Sequence, residues 1–292
     1  WIMLVSAMRT GDPAFMRLAT EMTRHRIDID QLWSDRDMPE AQGLTRSGGF
    51  VQFHSGRLRW VPGVGGGNLL PGVVLYYMLT GEPKALECAK RAGEGLRTAW
   101  KWVAEAKPYG GPQGDMTANA FSMQSYVAMY TLTADKKWLD DALGLFNAYV
   151  VPTWKNAGPL LHDAAGQIQS QDYIQSDYKY FCAIQGFCEL HHYTNDEKLL
   201  EMLKAGCDKE LPTTTFFEAP FFHSGLLAYV ACKTKNPDYL AKAAELFAQG
   251  FSESKSPPVY LPNNSTWNRT SAMALRTGHL LQYACWKMKS KK

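Results

Sequence analysis

Strong net charge, cysteine motifs and long apolar runs are all absent from the 292-residue sequence. Its net charge of +3 and its lack of basic runs before the last few residues do not match a nucleic-acid-binding surface. A membrane-spanning helix needs roughly 18 to 20 consecutive apolar residues, and no stretch of the sequence approaches that length. We therefore expect neither a nucleic acid nor a membrane as a partner.

The six cysteines form no C-x-x-C pair and no spacing typical of a metal site. Most of them lie inside apolar helical patterns, so we expect buried free thiols rather than disulfides. No cofactor is predicted, and Ca²⁺ stays an open alternative that residue spacing does not indicate. The cysteines are Cys88, Cys182, Cys188, Cys207, Cys232 and Cys285.

The sequence contains neither an initiator methionine nor a signal peptide. It opens on Trp1-Ile2-Met3-Leu4-Val5, an apolar run typical of the middle of a helix. We interpret the chain as a fragment of a longer protein with further segments upstream.

An internal repeat is the strongest signal in the sequence. Five times an apolar helical run ends in a short polar turn, after which a two-sided helix begins at once. Gly or Asn can adopt the left-handed conformation that ends a helix, and Asp, Glu or Asn can cap the next one. Pro in three copies suits the first turn of the following helix. The turns are Thr10-Gly11-Asp12-Pro13, Thr80-Gly81-Glu82-Pro83, Thr133-Ala134-Asp135-Lys136, Thr194-Asn195-Asp196-Glu197 and Thr234-Lys235-Asn236-Pro237.

The helices before and after these turns differ in composition. Those before a turn, such as residues 69–79 and 120–132, are rich in apolar and small side chains all round, which predicts burial on most faces. Those after a turn, such as residues 239–247, have one apolar and one charged stripe, as expected for an outer layer. A sixth inner-type helix, residues 271–286, ends the chain. Six inner and five outer helices predict an all-α fold, a single (α/α)6 toroid domain over residues 1–292 that lacks one outer helix.

The connections between the helices are lopsided in length. Each inner-to-outer turn takes a few residues, whereas every outer-to-inner connection is long, and long loops in a compact domain are often functional. Together these loops predict a cleft at the N-termini of the inner helices, whose positive dipole ends favour an anionic ligand such as a uronate. The long connections are residues 25–67, 107–116, 152–173, 208–218 and 251–268.

Aromatic, basic and acidic residues are concentrated in or beside these connections. Aromatic rings, bidentate arginines and carboxylates together suit a carbohydrate site, although the same residues can also cap a helical core. The candidate substrate-binding residues are Arg24, His25, Asp28, Asp30, Trp33, Arg57, Arg59, Trp60, Asn68, Asp115, Trp154, Asp177, Trp267 and Arg269.

Three candidates for catalytic roles are His54, His223 and Tyr178. His223 lies at the start of an inner helix, where its imidazole can act as a base or simply pack, and Tyr178 is a candidate proton donor. Residues 24–30 alternate polar and apolar, and an extended chain there would place His25 on the side opposite Asp28 and Asp30. The two aspartates would then be paired carboxylates or metal ligands, although no third ligand is evident.

Three parts of the sequence together resemble a known family. They are Arg24-His25-Arg26-Ile27-Asp28-Ile29-Asp30, then His54 in the long connection, then Gly72-Val73-Val74-Leu75-Tyr76-Tyr77-Met78-Leu79-Thr80-Gly81-Glu82-Pro83. These parts are similar to the rhamnogalacturonan exolyase/YetA-like proteins, in which a C-terminal α/α toroid follows β-rich domains. The resemblance covers essentially the whole chain. It implies preceding β-rich domains, a pectic substrate and an extracellular or periplasmic location.

One segment departs from the family pattern. Such toroids often carry a His, Trp and Glu group just before the Tyr-Tyr helix, where this sequence reads Gly67-Asn68-Leu69-Leu70-Pro71. The departure predicts altered chemistry at that helix.

Three functions remain open on these residues. A lyase would break a uronate glycan by β-elimination, with Arg57, Arg59 or Arg269 on the carboxylate, His54 or His223 as base and Tyr178 as acid. A glycoside hydrolase would use two carboxylates. A non-catalytic toroid would bind glycan without turnover. The candidate carboxylates for the hydrolase are Asp28, Asp115, Asp177 and Glu218.

Overall fold

The computed structural model describes residues 1–31, 33, 69–105, 116–151, 177–212, 221–252, 278 and 280–289. Helices dominate these ranges, and no β-strand is found within them. The predicted all-α class is therefore confirmed. The chain divides into two compact units, an N-terminal unit at Trp1–Pro152 and a C-terminal unit at Thr153–Lys292.

The N-terminal unit contains three helix pairs. Within it α1, α3 and α5 contact one another in sequence, and α2, α4 and α6 each contact the helix that precedes them. Two of these helices each continue into a π-helical turn of their own, at Arg26–Asp30 after α2 and at Phe146–Val150 after α6. The helices are α1 Ile2–Thr10, α2 Pro13–His25, α3 Pro71–Thr80, α4 Pro83–Ala104, α5 Met116–Thr133 and α6 Lys137–Leu145.

The C-terminal unit contains two further helix pairs and a last helical segment. Helix α7 contacts both α8 and α9, and α9 packs closely on α10. Residues 280–289 are helical, in agreement with the predicted last helix. The paired helices are α7 Asp177–Thr194, α8 Glu197–Glu210, α9 Phe221–Thr234 and α10 Pro237–Ser252.

The five predicted turns all form, and they share one hydrogen-bonding scheme. In each turn the closing threonine donates its hydroxyl to the carbonyl four residues earlier, for example from Thr194 Oγ1 to Leu190 O at 2.9 Å. The following Asp, Glu or Asn side chain accepts a backbone N–H from the first turn of the next helix, as Asp196 does from Leu199 at 2.9 Å. Local chemistry therefore ends one helix and starts the next.

Each turn passes through one residue in the left-handed region. Glycine provides it in two turns, at Gly11 and Gly81, both with a φ of 71°. Ala134, Asn195 and Lys235 adopt the same conformation at φ values of 55°, 51° and 62°. Asparagine tolerates this region, whereas the Cβ atoms of Ala134 and Lys235 make it costly, so two turns maintain the scheme against a local preference.

Burial separates the two helix types as predicted, although α1 and α3 depart from the pattern. Every residue from Ala120 to Met129 of α5 is buried, whereas α4 buries a single stripe that includes Ala85, Cys88 and Ala92. In α1 only Leu4 and Ser6 are buried, and in α3 Met78 and Leu79 of the last turn are exposed. The structure describes the side chains of five cysteines, which form no disulfide, as predicted, and Cys88, Cys188 and Cys207 are buried.

Candidate functional site

The end of α2 carries the described part of the candidate site. Residues Arg26–Asp30 form a π-helical turn, closed by a hydrogen bond from Gln31 N to Arg26 O at 3.0 Å. The extended conformation considered for residues 24–30 is therefore wrong, because the helical backbone continues through them. The wider π spacing brings His25 and Asp30 together on one side of the turn.

His25 and Asp30 form an imidazole–carboxylate pair. Their Nε2 and Oδ1 atoms lie 3.7 Å apart, and the side chains are 46% and 33% exposed. The pair is therefore open to a ligand from solvent. Arg24, the neighbouring candidate, points to solvent and lies 3.8 Å from Glu21.

Asp28 is engaged by a lysine of the next outer-type helix. Lys84 Nζ, in the first turn of α4, donates to Asp28 Oδ1 at 2.5 Å. This hydrogen bond raises the pKa of Lys84 above its usual value. Asp28 and Asp30 thus have separate partners and do not form a carboxylate pair.

Trp33 is fixed against the same helix. Its indole N–H donates to Ile27 O at 2.7 Å, and Arg91 donates to its carbonyl at 3.2 Å. The Arg91 guanidinium lies 5.2 Å from the ring centroid and Lys84 Nζ lies 6.0 Å from it, at cation–π distance. The structure therefore brings together His25, Asp28, Asp30 and Trp33, four residues that the sequence analysis selected.

Two further residues at the π turn were not selected from the sequence. The guanidinium of Arg26 and the amide of Gln31 are buried beside Cys88 of α4. Cys88 Sγ donates to Gln31 Oε1 at 3.5 Å. Burial lowers the pKa of Arg26 and raises that of the Cys88 thiol, so the thiol is neutral at pH 7.

Comparisons of the chain with known protein families, characterised proteins and solved structures found no match. The resemblance to rhamnogalacturonan exolyase/YetA-like proteins therefore stays a prediction.

His223 has a different environment from the one expected of a cleft base. It is the third residue of α9 and only 6% exposed, within a buried run of that helix. A general base must come within hydrogen-bonding distance of the proton it removes. The exposed His25 meets this requirement more readily than His223 does.

A second buried histidine lies in the C-terminal unit, at His191 near the end of α7. His191 Nδ1 lies 2.7 Å from Tyr229 Oη, and the two rings meet edge to face. Burial and the nearby Lys233 lower the pKa of His191 to about 4, while burial raises that of Tyr229. Both pKa shifts fit a neutral imidazole whose Nδ1 accepts a hydrogen bond from the Tyr229 hydroxyl.

The remaining candidates have no described side chain. Asp177 and Tyr178 lie in the first turn of α7 by their backbone. Within the described ranges, no group of three or more His, Cys, Asp or Glu is placed to hold a metal ion. The same ranges contain no helix long and apolar enough to cross a membrane. The candidates outside the described residues are His54, Arg57, Arg59, Trp60, Asn68, Asp115, Trp154, Glu218, Trp267 and Arg269.

Proposed function

We propose that the chain is a carbohydrate-active (α/α)6 toroid domain that acts on a uronate-containing glycan by β-elimination. The arrangement of His25, Asp30 and Trp33 at the end of α2 carries the proposal. An exposed imidazole next to a carboxylate and an anchored indole are two parts that a sugar-processing site requires.

In the proposed reaction, a base removes the proton at C5 of a uronate while the bond from C4 to the leaving oxygen breaks. His25 is our candidate for this base, because its imidazole is accessible and Asp30 stabilises the imidazolium formed. Cationic groups near the substrate carboxylate stabilise the negative charge that develops there. Tyr178 remains the predicted donor of a proton to the leaving oxygen.

Trp33 would provide the sugar platform. Its indole is anchored through its N–H and backbone carbonyl, so little side-chain freedom is lost when a sugar stacks on it. The two cations near its ring add positive charge on this side of the helix.

The contacts of the two aspartates favour elimination over hydrolysis. A glycosidase of the usual kind needs one protonated and one ionised carboxyl group acting on the same bond. Asp28 is bound to Lys84 and Asp30 lies beside His25, so the two carboxylates have different partners. The turn therefore does not present them as a pair acting on one bond.

The test is an assay of the full-length protein on polygalacturonate and rhamnogalacturonan. Elimination leaves an unsaturated uronate, which is detected by its ultraviolet absorbance. We expect this product from the wild type and a loss of about 100-fold or more in His25→Gln. His192→Gln, another exposed histidine, is the matched control and should leave the rate unchanged.

Other outcomes would replace the proposal. Reducing ends without unsaturation would indicate a hydrolase. Glycan binding without any turnover would indicate a binding domain. No response to any member of a uronate panel would contradict a uronate substrate.

A further inference from the structure

The π turn buries hydrogen-bond donors that have no acceptor. All three guanidinium nitrogens of Arg26 and the amide nitrogen of Gln31 are inaccessible to solvent, with no hydrogen-bond partner in the described part of the chain. Arginine stays charged in proteins, so it cannot avoid the cost of burial by losing its proton. A buried and unpaired charge is strongly unfavourable unless an anion neutralises it.

The two side chains are held next to each other by the backbone. The π-type hydrogen bond joins Gln31 N to Arg26 O, so the residues lie at the two ends of one turn. Both also face Cys88 of α4. The thiol donates to Gln31 Oε1, and it is near enough to Arg26 for the charges of the two groups to interact.

The contact with Cys88 sets the direction of the Gln31 amide. Because Oε1 accepts the thiol proton, the NH₂ group remains available to donate. The fork of Arg26 and this NH₂ group together form a cluster of donors. A planar oxyanion is the chemical group that satisfies such a cluster.

The surrounding charges favour an anion with a single negative charge. Arg26 contributes one positive charge and the Cys88 thiol is neutral, while Asp30 is close enough to interact with Arg26 electrostatically. Asp30 would repel a phosphate dianion more strongly than a carboxylate, and the dianion would exceed the single positive charge of Arg26. A carboxylate carries one charge and presents the two coplanar oxygens that a guanidinium binds in bidentate fashion.

We propose that Arg26 and Gln31 form a carboxylate-binding site for an acidic sugar. The carboxylate is inferred from the donors alone, whereas the choice of a sugar acid rests on the proposed function. Asp30 of the His25 pair ends the same π turn, so the site would bind the acid group next to the candidate base.

The experiment is a titration of the full-length protein with D-galacturonate, using D-galactose as the neutral match. Binding is followed by calorimetry and by the shift in Tm. We expect galacturonate to bind and raise Tm in the wild type and galactose to do neither. Arg26→Met should weaken galacturonate binding at least tenfold. Arg17→Met, an exposed arginine of α2, the helix that leads into the π turn, should bind like the wild type.

Two further variants keep the proposal testable if Arg26→Met does not fold. Arg26→Lys retains the charge and loses the fork, so it should also bind galacturonate at least tenfold more weakly. Gln31→Glu places a carboxylate beside Arg26, so it should abolish galacturonate binding while Tm without ligand stays equal or rises. A lower Tm in Gln31→Glu would contradict an unoccupied donor site.

Several results would overturn the proposal. They are unchanged galacturonate binding in Arg26→Met or Arg26→Lys, equal binding of galactose, and tighter binding of inorganic phosphate than of galacturonate. A different result would contradict the proposed lyase function without contradicting the carboxylate site. Galacturonate binding through Arg26 without any unsaturated product would remove the lyase and leave the carboxylate site in place.

Discussion

The two units each contain a buried polar site, and the two sites differ in how their hydrogen bonds are used. In the C-terminal unit, His191 and Tyr229 bond to each other at 2.7 Å within the packing of α7 on α9. In the N-terminal unit, Arg26 and Gln31 are equally enclosed, yet their donor nitrogens have no partner in the ranges described. We call the first site closed, because its hydrogen bonds are satisfied within the protein. We call the second site open, because its donors have no acceptor there.

The difference distinguishes polar groups that stabilise the fold from polar groups that bind a ligand. A closed site offsets the desolvation of its polar groups internally and needs nothing from outside. An open site leaves that cost in the unliganded protein, and a ligand that binds there removes it. We therefore expect substitutions in the closed site to change stability and substitutions in the open site to change binding.

The largest effect we expect is a loss of folding stability at acid pH, caused by His191 in the closed site. The pKa of His191 is lowered to about 4 in the folded protein, against about 6.5 in the unfolded chain. The unfolded state therefore takes up a proton first, and stability that is complete above pH 6.5 is lost as the pH falls toward 4. The shift corresponds to about 3 kcal/mol in the free energy of unfolding.

Comparing the wild type with His191→Gln separates the contribution of His191 from that of the other titrating groups. Urea unfolding of the wild type and His191→Gln is measured at several pH values from 7 to 4. The stability of the wild type should fall relative to that of the variant over this range. His192→Gln should keep the part of the fall that comes from His191, although burial and Lys233 also lower the pKa of His192. Parallel curves for wild type and His191→Gln would exclude a neutral buried His191.

Removing one hydroxyl should distinguish the closed site from the open one at constant pH. Tyr229→Phe deprives His191 Nδ1 of its partner inside the protein and should cost about 2 kcal/mol of unfolding free energy at pH 7. Gln31→Leu removes a buried donor that has no acceptor together with one weak bond from the Cys88 thiol, so its cost should be well below that of Tyr229→Phe. Thermal and urea unfolding of both variants measure the contrast, and equal losses would contradict it.

The sequence predicts the turns well and the two buried sites poorly, for a physical reason. A turn such as Thr194-Asn195-Asp196-Glu197 is held by bonds between residues at most four positions apart, so local residue types determine it. The bond between His191 and Tyr229 spans 38 positions and depends on how α7 packs on α9. No local pattern specifies that packing.

The π turn was missed for a different reason. Residues 24–30 alternate polar and apolar, and an extended segment was considered there, yet the same residues complete a helix whose hydrogen bonds shift by one position. That shift decides which side chains share a face. His25 and Asp30 meet because of it, and Arg26 and Gln31 are buried because of it.

The polar groups of the turns are also satisfied within the protein, but they lie at the surface. Substituting them should therefore change stability less than substituting His191 or Tyr229. Asp196→Ala removes the acceptor that receives Leu199 N at 2.9 Å and should cost about 1 kcal/mol of stability. Glu82→Ala should cost less, because Glu82 accepts from Lys84 N at a longer 3.4 Å. Lys198→Ala, an exposed neighbour in α8, is the control and should have little effect. Losing more stability in Glu82→Ala than in Asp196→Ala would contradict the ranking.

The smallest effect concerns the backbone of the turns, where two reciprocal substitutions should have opposite signs. Ala134 occupies the left-handed region at a φ of 55°, so Ala134→Gly relieves its strain and should raise stability by about 0.5 kcal/mol after the entropy of glycine is subtracted. Gly81→Ala should lower stability by about 1 kcal/mol. An added Cβ at Gly81 would meet no atom within 4 Å, so its loss would report backbone strain alone. Urea unfolding at pH 7 measures both, and a shared sign would show that the two turns are not equivalent.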